Sequence, residues 1–139
     1  MKNFTLIIFA LCATLAHAQA PKLSSWSTAQ ATIYIDFDGQ SVQSAGWRYG
    51  AYFECAPSGL NATQITEVYN RVAEDFRPFN INITTDSTVF LAAPVGNRIR
   101  IIVTPTSDWY TGVGGVSYIG SFTWGDDKPS FVFTDRFLY

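Results

Sequence analysis

The Asp and Glu side chains are candidates for catalysis or metal binding, but few of them are spaced so that they could act together. Asp36 and Asp38 flank one phenylalanine before Gly39. Two carboxylates fall well short of the roughly six to eight oxygens that Ca²⁺ takes. A turn at the end of a strand is therefore the favoured interpretation, and a calcium site is the alternative. Glu74 and Asp75 are neighbours in a helical pattern and point about 100° apart, so they do not form a catalytic dyad.

The hydroxyl and thiol nucleophiles of the chain lack a base. The only histidine is His17, inside an N-terminal apolar segment. Ser117 and Ser121 therefore have no imidazole to activate them, which excludes a Ser-His-Asp mechanism for the rest of the chain. Cys55 lacks a base for the same reason. Because no other cysteine follows the apolar segment, we expect Cys55 to pair with a cysteine beyond Tyr139 or to be an exposed loop thiol.

An irregular stretch between residues 40 and 60 is rich in aromatic side chains. A loop of this length inside a domain is usually functional or an insertion. Its aromatic side chains could form a platform on which sugars stack, and the more common alternative is that they pack onto the core. These side chains are Trp47, Tyr49, Tyr52 and Phe53.

The first 18 residues have the pattern of a secretory signal peptide. Lys2 gives a basic start, residues 4–15 are apolar but short for a bilayer, and Ala16-His17-Ala18 fits the cleavage site. We expect cleavage near Ala18 and release to the extracellular space or the periplasm. An N-terminal membrane anchor is the alternative. No later segment predicts a transmembrane helix.

Length and charge limit the remaining options. The chain has 139 residues, and the roughly 120 that follow the leader suffice for one domain but are few for a complete α/β domain. Lys and Arg number nine against eleven Asp and Glu, and loss of Lys2 leaves a net charge of −3. An acidic chain without a basic stripe does not predict binding to nucleic acid.

The strongest structural pattern lies in residues 64–86. Pro78 ends an apolar stripe of helical period, and Ile81 and Ile83 then alternate with polar residues as in a half-buried strand. A strand at residues 31–37 precedes the helix, so the three elements predict a β-α-β unit with parallel strands. The stripe consists of Ile65, Val68, Tyr69, Val72 and Phe76.

Three more strands follow the β-α-β unit. Residues 98–104 are rich in β-branched side chains and predict an interior strand. Residues 116–122 predict an edge strand that Gly120 weakens, and residues 130–134 predict the last strand. Between the second and third strands, residues 87–93 predict a short helix.

A mostly parallel sheet needs cover on both faces, and this chain offers one strong helix. Tyr34, Ile102 and Val132 are expected on the second face, where nothing would cover them. We therefore expect residues 31–139 to be the incomplete front part of a longer domain, with a linker at residues 19–30. A second helix, and further C-terminal domains, would lie outside the sequence.

The predicted elements also resemble a known family. The strings are IYIDFDGQ (33–40), VAEDFRPFNINITTD (72–86), RIRIIVT (98–104), GGVSYIGSF (114–122) and PSFVFTD (129–135). This series resembles the N-terminal half of secreted bacterial zinc metalloproteases of the zincin type, among the reprolysin-like metzincins, over nearly all of the mature chain. The resemblance implies a zincin-like α/β (α+β) fold. Its mostly parallel, twisted five-stranded sheet has an antiparallel edge strand and is backed by two helices, of which this chain carries one.

The resemblance also implies an activity, namely hydrolysis of peptide bonds by a zinc-activated water. In that family a helix with the motif H-E-x-x-H binds the metal, and its glutamate acts as general base. The motif is absent here, so no residue of this chain is assigned as catalytic or as a metal ligand. Zinc is expected in the full-length protein, and this chain alone is expected to be inactive.

A substrate site is the one functional element that the resemblance places in this chain. An extended peptide or protein substrate would pair with the antiparallel edge strand, whose free N–H and C=O groups recognise backbone. Glycines before the strand would let the peptide approach closely. The alternative function is a non-catalytic secreted binding domain for carbohydrate or a surface polymer. The expected substrate-binding residues are Gly114, Gly115, Val116, Ser117, Tyr118, Ile119 and Gly120.

Overall fold

A mixed α/β fold is formed by residues 20–137, the part of the chain that the computed structural model describes. The signal-peptide prediction falls on residues outside this range. The helices are α1 (Ala62–Asp75) and α2 (Ser87–Ala92). The strands are β1 (Ala31–Asp36), β2 (Gln40–Val42), β3 (Phe53–Cys55), β4 (Ile81–Thr84), β5 (Arg98–Thr104), β6 (Gly115–Val116) and β7 (Ser130–Phe133).

Five of the strands form one sheet in the order β4-β1-β5-β7-β6. The first four are parallel, and β6 pairs with β7 in the antiparallel sense. The predicted mostly parallel sheet with one antiparallel edge strand is thus confirmed. The β-α-β unit is confirmed as well, since β1 and β4 pair in parallel and α1 lies between them in the chain.

Helix α1 is capped by Asn61 and ends shortly before Pro78. The Asn61 side chain accepts a hydrogen bond from the Gln64 backbone N–H at 3.0 Å, and the Gln64 side chain accepts from the Asn61 N–H at 2.9 Å. This reciprocal capping box satisfies N–H groups that have no partner within the helix. Phe76 is the C-cap, two residues before the proline.

One face of the sheet, the α1 face, packs against this helix. Ile65 and Tyr69 of α1 are buried against strand residues that include Ile33, Ile83 and Val103. The α1 face of the sheet is less completely covered near β7. Ile101 and Val132 pack against this cluster but stay half-buried.

The second face, which we call the hairpin face, is not left in water, so that expectation is wrong. Strands β2 and β3 form an antiparallel hairpin, and Val42 and Phe53 pack with Ile102, which is 0% exposed. Phe90 of α2 stacks on Tyr34 at 5.2 Å between ring centroids. The prediction that Val132 lies on the same face as Ile102 is also wrong. Side chains alternate along β7, so Phe131 and Phe133 occupy the hairpin face and Val132 lies on the α1 face.

Residues 20–30 run beside the outer edge of β4. Backbone hydrogen bonds join Ser25 N–H to Ile83 C=O and Thr85 N–H to Leu23 C=O, each at 3.0 Å. The Asn82 side-chain oxygen accepts from the Ser25 and Trp26 N–H groups at 3.1 and 2.9 Å. Strand β4, predicted to be half-buried, is therefore buried on both faces beyond Ile81.

An arginine fastens α2 to the sheet. Arg98 Nη1 donates to the carbonyls of Phe90, Leu91 and Ala93 at 3.0, 2.7 and 2.8 Å, where α2 ends. Its other nitrogens pair with Asp126. These bonds satisfy C=O groups at the end of the short helix; the Phe90 carbonyl also accepts from the Ala93 N–H.

Between residues 20 and 137, neither helix has the length and apolar character needed to cross a membrane.

Candidate functional site

The predicted edge strand exists, but it is shorter than its sequence indicates. Only Gly115–Val116 pairs with β7, with Gly115 opposite Val132 and Val116 opposite Phe131. No described strand pairs with the other side of β6. Its outer edge is therefore the one place where an added strand could extend this sheet beyond β7.

Glycine is required at the start of this strand by close packing. A Cβ atom on Gly115 would lie 2.6 Å from the Phe131 carbonyl oxygen, and one on Gly114 would lie 3.3 Å from the Phe137 ring. A contact of 2.6 Å is a clash that backbone must move to relieve. The Gly-Gly pair thus lets β6 approach β7, in addition to any role in admitting a peptide.

Residues 117–120 leave the sheet, which corrects the strand predicted through residue 122. The Tyr118 hydroxyl donates to the Gly46 carbonyl at 2.6 Å, which ties the chain to the hairpin side. Gly120 has φ 78, and a 3-10 turn, Ser121–Thr123, follows it. Left-handed backbone at Gly120 reverses the chain, so Ile119 projects into solvent and is 99% exposed.

Beside the edge strand lies an open groove of about 550 Å³. Half of its lining residues are aromatic, and Arg48 is the only charged residue among them. The sequence did not single out Trp109 and Tyr110, although an aromatic pair in the glycine-containing loop before a predicted edge strand is a usable signal. The lining residues are Ala45, Gly46, Trp47, Arg48, Tyr49, Trp109, Tyr110, Val116, Ser117 and Tyr118.

A strained turn forms one rim of the groove. Arg48 and Tyr49 have φ 47 and φ 57, the left-handed region that residues other than glycine avoid at about 1–2 kcal/mol each. Hydrogen bonds from the N–H groups of Gly50 and Ala51 to the carbonyls of Trp47 and Arg48 close the turn. The turn holds Tyr49 away from the protein with its side chain fully exposed.

The aromatic loop divides into core and surface. Trp47 and Phe53 are each 4% exposed and belong to the hairpin-face core, whereas Tyr49 and Tyr52 face solvent. Trp47 Nε1 also donates to the Pro129 carbonyl at 2.9 Å. The four side chains therefore do not form one sugar-stacking platform.

No family model, curated protein or solved structure matches the chain.

Asp36 and Asp38, at the end of β1, have structural roles. Asp36 Oδ1 accepts the Asp38 N–H at 3.1 Å, and Asp36 Oδ2 lies 3.2 Å from Arg100 Nη1. The Gln40 side-chain oxygen accepts from the same arginine. Burial raises the pKa of Asp36, and the adjacent Arg100 opposes that rise. This arrangement is the predicted strand-end turn, with the guanidinium of Arg100 rather than a metal ion as the counter-charge.

The described residues do not suit a zinc site. Within residues 20–137, no three His, Cys, Asp or Glu side chains are grouped so that they could hold a metal ion. The carboxylate of Asp36 is paired with Arg100, and the thiol of Cys55 is buried. No metal-dependent step can be assigned to these side chains.

Cys55 is not an exposed loop thiol, because it lies in the hairpin-face core at 4% exposure. Burial, with smaller contributions from the charges of Asp36 and Glu54, raises the pKa of the thiol to about 12. The folded state thus favours the protonated thiol, and the unfolded state ionises near its ordinary value of about 8.5.

The free energy of unfolding should fall at alkaline pH for this reason. Because the pKa of Cys55 is higher in the folded state than in the unfolded state, the thiol stabilises the fold fully at pH values below its unfolded pKa. This stabilisation is lost as the pH rises toward 12. We expect a loss of about 1.4 kcal/mol per pH unit between roughly pH 9 and 11. Urea unfolding at pH 7, 9 and 10 measures it. In Cys55→Ala the slope should be shallower; an unchanged slope would assign the effect to other groups.

Proposed function

We propose that this chain belongs to a secreted zinc-dependent metalloendopeptidase, for which residues 31–137 supply the sheet, the backing helix and one edge of the substrate cleft. The observation that carries the proposal is the sheet itself. The family resemblance implies a mostly parallel sheet with a single antiparallel edge strand, and the order β4-β1-β5-β7-β6 has that composition with β6 at the edge. The edge strand, Gly115–Val116, contains two of the seven residues expected to bind substrate.

The cover of the α1 face supports a second helix on that side. Ile101 and Val132 stay half-buried beside α1, while the hairpin and α2 cover the opposite face. A helix packed next to α1 would bury these side chains. In the proposed enzyme that helix, contributed by residues outside this sequence, carries the zinc ligands.

The role of this chain in the reaction is to bind and orient the substrate. The outer N–H and C=O groups of β6 are available to an extended peptide, which would join the sheet as a further strand. Backbone pairing fixes the direction and register of a peptide without selecting its side chains. When bound to the full-length protein, zinc would supply a water acidified for attack on the peptide carbonyl.

The proposal is tested on the full reading frame. We expect sequencing beyond the codon for Tyr139 to find an in-frame H-E-x-x-H helix, and the expressed protein to bind one zinc and cleave casein until 1,10-phenanthroline removes the metal. Replacement of the motif glutamate by glutamine is the control that retains zinc and loses activity. A frame without the motif, or a protein that cleaves casein in the presence of the chelator, would contradict the proposal.

The carbohydrate-binding alternative is less well supported. It depended on four aromatic side chains acting together, and Trp47 and Phe53 are buried in the core. What remains exposed at that loop is Tyr49 and Tyr52, at 107% and 58%.

A further inference from the structure

Side chains of a peptide added to β6 would alternate between the two faces of the sheet. Directly opposite residues of paired strands project to the same face. Val116 lies opposite Phe131, and both belong to the hairpin-face core. A peptide residue opposite Val116 would therefore direct its side chain to the hairpin face, and the next residue would direct its side chain to the α1 face.

The hairpin face carries the aromatic groove at that edge. Val116 of the edge strand and Ser117 directly after it both line the groove. The groove is therefore placed to receive the side chain of the peptide residue opposite Val116. Its lining includes Trp47, Tyr110 and Tyr118. Tyr118 is fixed by its hydrogen bond to Gly46 and by packing on Trp47, with 4.6 Å between the ring centroids.

Charge identifies the side chain that suits this groove. Arg48 is the one charged residue in the lining, and no lining residue is acidic. Its guanidinium carbon lies 5.1 Å from the centre of the Phe53 ring, on which it rests. An arginine held against an aromatic face can donate to a carboxylate with little loss of side-chain freedom. The strained turn at Arg48 and Tyr49 keeps both side chains at the rim.

We propose that this groove selects an acidic side chain in an extended peptide, with Arg48 binding its carboxylate and the aromatic walls covering its methylene groups. The inference rests on the proposed role of β6 as the substrate-pairing edge. It adds a specificity that backbone pairing alone does not give, and it makes Arg48 a specificity-determining residue.

Peptide binding to the full expressed chain tests this proposal. The probes are fluorescein-labelled acetyl-Thr-Val-Thr-Glu-Thr-Val-Thr-amide and the peptides with Gln or Lys in place of Glu, measured by fluorescence anisotropy at low salt. We expect the Glu peptide to bind about five- to tenfold more tightly than the Gln peptide, with the Lys peptide weakest. Arg48→Gln should remove the difference, and Arg48→Lys should restore part of it.

Arg71→Gln is the matched control, because Arg71 is an exposed α1 arginine paired with Glu67 and far along the chain from the groove. It should leave the preference unchanged.

Equal binding of the three peptides would overturn the acidic specificity and leave edge pairing intact. Binding of hexagalacturonate with no peptide binding would overturn the inference in favour of a uronate polysaccharide. Failure to bind any probe would overturn it too. A Glu preference without proteolysis by the full-length protein would reject only the proposed enzyme.

Discussion

Replacement of Arg100 by methionine is expected to lower the free energy of unfolding by about 3–5 kcal/mol. The side chain of Asp36 is only 3% exposed, and Arg100 Nη1 lies 3.2 Å from it. The guanidinium carbon also lies 5.4 and 5.3 Å from the ring centres of Tyr34 and Phe90. Methionine would keep much of the apolar contact while leaving Asp36 as a buried charge without a partner. Urea unfolding at pH 7 measures the effect.

A second substitution separates the charge from the packing. In the double variant Asp36→Asn, Arg100→Met, most of the lost stability should return, because no unpaired charge remains. Arg71→Met is the control, since the exposed pair with Glu67 should contribute less than about 0.5 kcal/mol. A loss below about 1 kcal/mol for Arg100→Met would show that the pair is not buried in solution.

The instability of Arg100→Met should also depend on pH. Burial already raises the pKa of Asp36, and removal of Arg100 removes the charge that opposes this rise. A carboxyl group whose pKa is raised in the folded state stabilises the fold at pH values below its unfolded pKa of about 4. This stabilisation is lost as the pH rises through the folded pKa. The difference between wild type and variant should therefore shrink as the pH falls toward 4.

Trp47→Ala is the second substitution with a large expected effect, about 3–5 kcal/mol of lost stability. The side chain is buried, its Nε1 donates to the Pro129 carbonyl, and its ring packs edge-on against Phe131 at 5.4 Å between centroids. Removal would leave a cavity in the hairpin-face core and a carbonyl without its donor. Thermal unfolding followed by tryptophan fluorescence and circular dichroism measures the loss.

Tyr49→Ala is the matched control from the same loop. Because Tyr49 is fully exposed, its removal should change stability by less than about 0.5 kcal/mol. This pair of variants separates the core side chain of the loop from the surface one. Equal effects at the two positions would contradict the division of the aromatic loop into core and surface.

The elements with local signals were predictable from the sequence. Helix α1 has an apolar stripe and a proline stop close together in the sequence, and its structure agrees with both. Strands β1, β5 and β7 are runs of β-branched and aromatic residues, and each was placed within one residue. The signal-peptide prediction lies outside the described residues, so it stays a prediction.

The hairpin was missed because its strands are three residues each and are separated by ten residues. No periodicity can be read from a run of three. The pairing of β2 with β3 depends on burial against β5 and β7, which the intervening sequence does not indicate. The prediction that the second face of the sheet lies uncovered was wrong for the same reason, because the hairpin within the aromatic loop covers that face.

The candidate site was found in part. Gly115 and Val116 form the predicted edge strand, but the period-two pattern that continues to Phe122 does not form a strand. Tyr118 binds the Gly46 carbonyl, 72 residues away in the chain, and this contact draws the segment out of the sheet. Arg48, which supplies the charge of the groove, lies far from the edge strand in sequence, whereas Trp109 and Tyr110 lie in the loop just before it.

The sequence alone determined the periodic elements, their parallel pairing and the lack of histidine after residue 17, because each of these depends on residue type and spacing along a short stretch. Tertiary structure alone decided which residues cover the second face, how long the edge strand is, and which side chains share the groove. Those outcomes depend largely on contacts between residues distant in the chain, such as Tyr118 with Gly46, 72 positions apart. The free energy of such contacts is set by burial that no local pattern records.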